Sequence, residues 1–299
     1  MDTDASLVER VTAAHDDLSP AGRRVAEFIA NHPAQAAVAS SAEIGSLTGT
    51  SDATVVRTVK QLGYRGMPDL KRNLSTFLAQ HNPRTTLATR IDRVRDEPGE
   101  VLGLALADAA AIVEEVPRRI SGTAFRAAVD LLHGAPGILA VGFGPAAALA
   151  EYAALELTRI GHRAVAATTS GFRFADAIVA LRPGEVVLLF APLLHVQEID
   201  ALLAHTRRLE APTILVSEVL GARLAGEVTV VLPLPSSRHR LVSGIAGAAA
   251  VIDALLLGVA TVAPQPALET WELLNRLRAQ IVGHPVDVTM RPAIQDGAP

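Results

Sequence analysis

Cations, hydroxyls and an amide share one side of a short amphipathic segment near the N-terminus of this 299-residue chain. On a helical wheel of about 100° per residue, Val55, Val59 and Leu62 fall together. The opposite side carries Ala53, Thr54, Arg57, Lys60 and Gln61, and Ser51 caps the segment; these six are the predicted DNA-binding residues. Such cations can contact phosphate or guanine, and amides and hydroxyls can contact base edges. A DNA-contacting face and a merely solvated face both fit this pattern.

Positive charge is concentrated on this segment and just after it, although the chain as a whole carries a formal net charge of −4. Between residues 51 and 72 only Asp52 and Asp69 oppose the cations, which are Arg57, Lys60, Arg65, Lys71 and Arg72. Acidic and basic residues balance over residues 1–80 as a whole, so no domain-wide basic surface is predicted. The local excess favours contact with a negatively charged partner.

A second group of polar residues is expected along one edge of a β-sheet in the C-terminal half. Ligands of parallel α/β sheets bind beyond the carboxyl ends of the strands. That edge should collect Gly142, Gly144, Ser170, His195, Ser236, Ser237 and Arg238, which we predict as effector-binding residues. Structural alternatives stay open: His195 could be a surface or capping residue, and Arg238 could contact a partner subunit. Ser236 and Ser237 are most simply N-caps of the helix that follows.

No catalytic or cofactor-binding set emerges from the sequence. The motif GFGPAA only nominally fits a dinucleotide fingerprint, because the next strand, RAVAAT, ends without a carboxylate and Pro145 lacks an amide proton. Neither metal-ligand spacing nor a nucleophile elbow is found. Glu198 is the one candidate for the general base of an isomerase. We therefore expect no cofactor, no metal site and no enzymatic activity.

Composition indicates a soluble globular protein, with 49% hydrophobic and 19% charged residues. The absence of cysteine excludes disulfides and thiolate metal sites. The acidic N-terminus has no apolar signal core, so we expect a cytoplasmic protein without a membrane partner. The longest apolar run, residues 241–264, is interrupted by Asp253 and is interpreted as a buried helix.

Helix signals dominate the first 80 residues. A helix should begin after Ser19 and end near Pro33, a second should begin at Ser40 or Ser41, a third should begin at Ser51, and a fourth should span residues 69–78. Gly49 leaves a turn of about three residues between the second and third helices, as a helix-turn-helix requires. Residues 1–80 are therefore predicted to form an all-α helix-turn-helix DNA-binding domain.

The remaining chain has a different texture. Residues 81–119 are predicted to be a charged linker with one Ala/Leu-rich helix. Five short apolar runs then alternate with helical stretches, namely GILAVGF, RAVAAT, EVVLLFA, PTILVSE and VTVVLPL. They predict a doubly wound, parallel five-stranded α/β sheet over residues 120–263, with every strand covered on both faces. Residues 264–299 should form a helix over 271–281 and a tail.

The sequences LSPAGRRVAEFIANHP and SSAEIGSLTGTSDATVVRTVKQLGYRGMPDLKRNL resemble the N-terminal domain of RpiR-type bacterial transcriptional regulators. The resemblance covers residues 18–78, and its most specific motifs are ATVVR, LGY and PDLK. It implies that residues 51–62 are the recognition helix. Residues 120–260 resemble a sugar isomerase (SIS) domain through VGFG, LRPGE, and Ser237-Arg238 before the long helix. This second resemblance implies phosphosugar sensing and dimerisation without catalysis.

One loop departs from the SIS pattern. These domains typically carry Ser-x-Ser-Gly-x-Thr after the third strand, but this chain has FAPLLHVQE, with Leu193, Leu194 and Val196 among the replacements. Each missing hydrogen bond to a charged ligand is worth about 1.5–3 kcal/mol. We therefore expect a ligand that is less charged than a hexose phosphate, such as a sugar derivative or a carboxylate.

The sequence thus predicts a DNA-binding transcriptional regulator that binds double-stranded operator DNA and a small effector. Surplus Ala and Leu over residues 146–157 and 245–262 predict a homodimer or tetramer. Two alternatives remain: an SIS-type sugar-phosphate isomerase or sugar-phosphate-binding enzyme with a helical extension, and an α/β domain that dimerises but senses nothing. The complete helix-turn-helix pattern and the altered phosphate turn favour the regulator over the enzyme.

Overall fold

The computed structural model describes residues 10–11, 14, 17–80, 83–95, 98–191, 196–237, 241–242 and 244–284. An all-helical cluster forms the N-terminal part, and a parallel α/β sheet forms the C-terminal part. The fold class predicted from the sequence is confirmed.

Five helices build the N-terminal cluster: α1 (Pro20–Asn31), α2 (Pro33–Val38), α3 (Ser41–Thr48), α4 (Asp52–Gln61) and α5 (Met67–Gln80). The Ser19 hydroxyl accepts a hydrogen bond from the Gly22 amide at 3.1 Å, so α1 begins where the sequence predicted. Helix α2 was not predicted. Pro33 was treated only as the end of α1, but it also occupies the first position of α2, where a missing amide proton costs nothing.

The predicted linker contains two helices rather than one. Helix α6 (Pro83–Val94) covers much of the segment that we expected to be an irregular charged connector, and again a proline stands at its first residue. A short 3₁₀ turn at Pro98–Glu100 leads into α7 (Val101–Arg119), the predicted Ala/Leu-rich helix. These helices connect the N-terminal cluster to the sheet.

The sheet has five parallel strands in the order β2-β1-β3-β4-β5. Its elements are α8 (Gly122–Gly134), β1 (Ile138–Gly142), α9 (Ala146–Arg159), β2 (Ala164–Ala167), α10 (Phe172–Val179), β3 (Val186–Phe190), α11 (Gln197–Leu209), β4 (Thr213–Ser217), α12 (Gly221–Leu224), β5 (Val230–Pro233), α13 (Ile245–Val262) and α14 (Pro264–Val282). All five predicted strands are present. Helix α8 was not predicted, and α14 begins at Pro264 rather than at Trp271.

Two hydrophobic cores cover the two faces of the sheet. Helices α8, α9 and α13 pack on one face, and α10, α11 and α12 pack on the other. Strand β2 contradicts the expectation that every strand is covered on both faces. It lies at the edge of the sheet, and Val165 is 55% exposed. The apolar run RAVAAT therefore predicted a strand correctly, but it did not predict that this strand lies at the edge of the sheet.

Helix α13 is the one helix among the described residues that is long and apolar enough to cross a membrane. One side of it is buried in the core of the α/β region through Val251, Ile252 and Leu255. Gly247 allows α7 to approach closely, since a Cβ at that position would lie 2.9 Å from the Ile112 side chain. These contacts are those of a core helix, as the sequence indicated.

Candidate nucleic-acid interface and ligand crevice

The turn between α3 and α4 is closed by two glycines. The Thr50 amide donates to the Gly45 carbonyl at 2.8 Å. A Cβ at position 45 would lie 2.9 Å from the Thr50 carbonyl oxygen, so only glycine fits there without a shift. Gly49 ends α3 in the left-handed region, with φ of 63°. The angle between the two helices is therefore set by residues within the turn.

Both helices of the motif have side-chain caps. Ser40 and Glu43 form a reciprocal capping box at α3, with the Ser40 amide donating to Glu43 Oε2 at 2.7 Å. Hydrogen bonds from Ser40, the backbone one first, lower the pKa of the Glu43 carboxyl. At α4 the Ser51 hydroxyl accepts from the Thr54 amide at 3.2 Å. The start predicted for each helix matches its cap.

The inward side of α4 is fully buried. Val55, Val59 and Leu62 are each at most 1% exposed, as the helical wheel predicted. Thr58 is equally buried and was missed, because a threonine on an amphipathic helix is usually assigned to the polar side. A Cβ at Gly22 of α1 would lie 3.2 Å from the Thr58 hydroxyl oxygen, so α1 and α4 are in close contact there. This packing fixes the rotation of α4 about its axis.

The outward side of α4 presents the predicted DNA-contacting residues. Ser51, Ala53, Arg57, Lys60 and Gln61 are exposed, and Thr54 is half-buried. Within the described part of the chain, the side chains of Arg57 and Lys60 make no hydrogen bond or ion pair. The two charges therefore need no internal contact to be broken before they bind a partner.

The neighbouring cations are engaged differently. Arg65 and Arg72 both pair with Asp69, at 3.5 Å and 3.1 Å. The Asp69 carboxylate also accepts from the Arg65 amide, and this bond is the main reason that its pKa is lowered. Lys71 donates to the Val38 carbonyl at 3.2 Å. The cations after α4 thus help to hold α5 in place, whereas those on α4 point outward.

Gly142 and Gly144 shape the first turn of the α/β crevice. A Cβ at position 142 would lie 2.7 Å from the Ala146 carbonyl carbon, so glycine is what allows α9 to begin so close to β1. Gly144 has φ of 57°, which favours glycine for a backbone reason instead. Between them, the ring of Phe143 stands edge-on to Phe174 with a centroid distance of 5.1 Å. The turn is therefore narrow and apolar.

Ser237 does not cap the following helix, so that prediction is wrong. Helix α13 begins at Ile245 after Gly244, and neither Ser236 nor Ser237 is its N-cap. Instead the Ser237 amide donates to Glu218 Oε2 at 2.8 Å, and its hydroxyl donates to the same carboxylate at 3.0 Å. Ser237 is 4% exposed, whereas Ser236 is exposed. Glu218, which follows β4, was missed because its partner is distant in sequence.

Other polar groups of the crevice edge are already paired. The Ser217 hydroxyl donates to the Ala191 carbonyl at 2.6 Å and accepts from the Leu220 amide at 2.9 Å. Glu198, the candidate general base, accepts from the Gly171 amide at 3.1 Å. Ser170, next to Gly171, is exposed. The predicted ligand residues His195 and Arg238 lie outside the described residues, as do Leu193 and Leu194 of the altered loop.

The family of the N-terminal region follows from comparison with known proteins. Residues 5–81 match the family model described as "Helix-turn-helix domain, rpiR family". This region is an RpiR-family helix-turn-helix domain. The chain is also 28% identical over 236 residues to the HTH-type transcriptional regulator HexR of Escherichia coli (strain K12). The aligned region covers 77% of this chain and 78% of HexR.

Solved structures show the same architecture. The NanR protein of Vibrio vulnificus complexed with ManNAc-6P superposes with a TM-score of 0.57 at 17% identity, over 92% of this chain and 99% of that chain. The sugar isomerase domain of an RpiR transcription factor from Sphaerobacter thermophilus superposes with a TM-score of 0.54 at 22% identity, over 59% of this chain and 99% of that chain. At these identities the likeness concerns the fold alone: the α/β part of this chain has the fold of that sugar isomerase domain.

Proposed function

We propose that this protein is a DNA-binding transcriptional regulator whose SIS-type domain senses a small molecule without catalysing a reaction. The observation that carries the proposal is the pair of exposed cations, Arg57 and Lys60, on a helix whose opposite side is buried. The RpiR-family domain and the relative named as a transcriptional regulator support the same function. A regulator of this kind acts in the cytoplasm, where its operator DNA is.

In this proposal α4 is the recognition helix and lies in the major groove of the operator. Arg57 and Lys60 bind phosphate or guanine, and Gln61 and Thr54 bind base edges. Ala53 lets the helix approach the bases closely. Ser51 caps the helix and aligns its N-terminal amides toward a phosphate. The fixed rotation of α4, set by Thr58 and its buried neighbours, determines which of these side chains reach the groove.

The experiment begins with a duplex that the wild-type protein selects from a random-sequence library. We expect Arg57→Ala and Lys60→Ala each to weaken binding of that duplex, by roughly 5–150-fold where the side chain reads a base, which corresponds to about 1–3 kcal/mol. Arg118→Ala is the matched control, since Arg118 is an exposed arginine of α7 without a partner in the described part of the chain. Wild-type affinity in both α4 variants would overturn the assignment of the recognition helix.

The same proposal includes a homo-oligomer formed at least in part by the α/β domain. Leu155 on α9 is 52% exposed and lies one turn after Tyr152. Leu257 on α13 is 70% exposed and lies one turn after Asp253. The Tyr152 hydroxyl donates to Asp253 at 2.6 Å and so joins the two helices at this surface. A second copy would cover these leucines, and a two-fold dimer would bind two half-sites. Sedimentation at micromolar concentration should show a dimer or tetramer, and a monomer would contradict it.

The effector is proposed to bind at the carboxyl edge of the sheet and to be less charged than a hexose phosphate. The supporting observation is that three polar residues of this edge, Ser217, Ser237 and Glu198, already have hydrogen-bond partners within the protein. The pairing of Glu198 with the Gly171 amide also argues against its use as a general base. A dianion would therefore have to break existing bonds, besides lacking the hydroxyls of the usual loop.

Calorimetric titration tests the ligand class. We expect glucose 6-phosphate, fructose 6-phosphate and N-acetylmannosamine 6-phosphate to bind with dissociation constants weaker than about 1 mM, or about −4 kcal/mol. Neutral sugars and sugar acids in the same panel serve as the comparison. Micromolar binding of any of the three phosphates would show that the missing hydroxyls are dispensable.

A further inference from the structure

The segment between β5 and α13 is attached at its two ends to different parts of the molecule. At its first end, Ser237 is held by Glu218 of the sheet through its amide and its hydroxyl. Near its second end, the amide of Leu241 donates to Asp108 of α7. The Val242 carbonyl accepts from Arg90 of α6 at 3.3 Å. The described ends of this segment are thus hydrogen-bonded to Glu218 and to both linker helices.

Asp108 links the Leu241 end of this segment to α6. Its carboxylate accepts from Leu241 and also pairs with Arg93 of α6, at 3.7 Å. The side chain of Asp108 is only 15% exposed, so water does not easily replace either partner. A displacement of Leu241 therefore changes the environment of Arg93, and a displacement of α6 changes that of Leu241.

The path continues from α6 to the DNA-binding domain. Helix α6 contacts α5, and α5 contributes Leu70 and Leu74 to the buried core of the N-terminal cluster. That core also contains Val59, which lies within α4, and Leu62, which caps the C-terminus of α4. On the other side, α7 packs on α13 and β5, with Ile112 completely buried. The polar contacts at Asp108 are therefore the joint between α7, which is packed on the α/β domain, and α6, which contacts α5 of the N-terminal cluster.

We propose that Asp108 is a positioning residue that couples the β5–α13 segment, which carries the predicted effector residues Ser236 and Ser237, to the DNA-binding domain. The proposal rests on the proposed function and adds the route by which the crevice regulates it. Coupling between two binding sites is reciprocal in binding free energy, so if a ligand at the β5–α13 segment changes DNA affinity, DNA bound at α4 changes the affinity for that ligand by the same factor, and the Asp108 contacts transmit the change in both directions. Operator DNA can consequently serve as the probe while the effector is unidentified.

The experiment is hydrogen–deuterium exchange on the full chain, with and without the duplex selected by the wild-type protein. The reporter is residues 244–252, at the start of α13 and beyond the Leu241 hydrogen bond itself. We expect DNA to change the exchange rate of this segment by about fivefold or more in the wild type, and by less than about twofold in Asp108→Asn. Asp108→Glu, which keeps the carboxylate, should retain most of the wild-type change.

Asp130→Asn is the matched control, because Asp130 is an exposed residue of the adjacent helix α8 without a partner in the described part of the chain. It should behave as the wild type does. If Asp108→Asn does not fold, Arg93→Gln removes the same joint from the side of α6, and the same loss of the DNA-induced change is expected. A purely structural role would alter exchange equally with and without DNA.

The outcomes separate the two proposals. If the wild-type protein binds its selected duplex and residues 244–252 show no change, the coupling is refuted and the proposed function stands. An unaltered DNA-induced change in both Asp108→Asn and Arg93→Gln also refutes it. If no duplex is selected at all, the proposed function and the coupling fail together.

Discussion

The outward face of α4 and the carboxyl edge of the sheet are both rich in polar residues, but they use them differently. On α4 the charged groups of Arg57 and Lys60 have no contact in the described part of the chain. At the sheet edge, Ser217, Ser237 and Glu198 are each bonded to a backbone group or a side chain. The face proposed to bind DNA is thus left open, whereas these polar groups at the sheet edge already have partners within the protein.

The two regions also differ in how their geometry is fixed. The helix-turn-helix turn relies on local contacts, since Gly45, Thr50 and Ser51 bond within a few residues of one another. The crevice relies on contacts between distant segments, such as Glu218 with Ser237. Substitutions in the first region should therefore act locally, and those in the second should act on the whole α/β domain.

The largest effect should come from Gly142→Val in the crevice. The valine side chain would overlap the carbonyl of Ala146, which can yield only if α9 shifts, so we expect the α/β domain to lose about 3 kcal/mol of unfolding free energy. Gly144→Ala is the matched control: its surroundings are open, and only the backbone strain of about 1 kcal/mol applies. Denaturation followed by fluorescence of Trp271, the single tryptophan, measures both. Equal losses of unfolding free energy in the two variants would mean that the close approach of α9 to Gly142 does not cause the destabilisation.

A smaller effect is expected from the two serine caps, one in each region. Ser51→Ala and Ser121→Ala each remove one bond to a backbone amide, at 3.2 Å and 3.1 Å, and each should cost about 1 kcal/mol. Only Ser51→Ala should also weaken DNA binding at a temperature where both variants are folded. A DNA affinity unchanged by Ser51→Ala, or reduced equally by Ser121→Ala, would contradict the placement of Ser51 at the DNA.

The smallest effect concerns pH and the α/β domain alone. Burial, and next the nearby His133, lower the pKa of His162 below its ordinary value of 6.5. As the pH falls, His162 is therefore protonated at a higher pH in the unfolded chain than in the folded chain. The folded state has its full stability with respect to this histidine above pH 6.5, and that stability decreases as the pH falls below 6.5. Between about pH 7.5 and pH 5.5, His162→Gln should therefore lower the melting temperature's dependence on pH. His32→Gln, on the exposed end of α1, is the control, and an equal change there would exclude His162 as the source.

The same contrast explains what could be predicted from the sequence. The buried residues of α4 follow the helical period, and its start follows from Ser51, so both are local signals. Thr58 could not be predicted as buried, because its burial depends on Gly22 in another helix. Ser237 was interpreted as a cap since no local signal points to Glu218. The exposure of Val165 likewise depends on strand order, which the composition of β2 does not encode.

The salt dependence of DNA binding tests most directly the proposal that α4 binds DNA through Arg57 and Lys60. The logarithm of the association constant for the selected duplex is measured against the logarithm of salt concentration for the wild type, Arg57→Ala, Lys60→Ala and the control Arg118→Ala. We predict weaker binding in both α4 variants, and a slope that is shallower by about one unit for each cation that contacts phosphate. The control should match the wild type. Affinity and slope equal to the wild type in both α4 variants would contradict the claim.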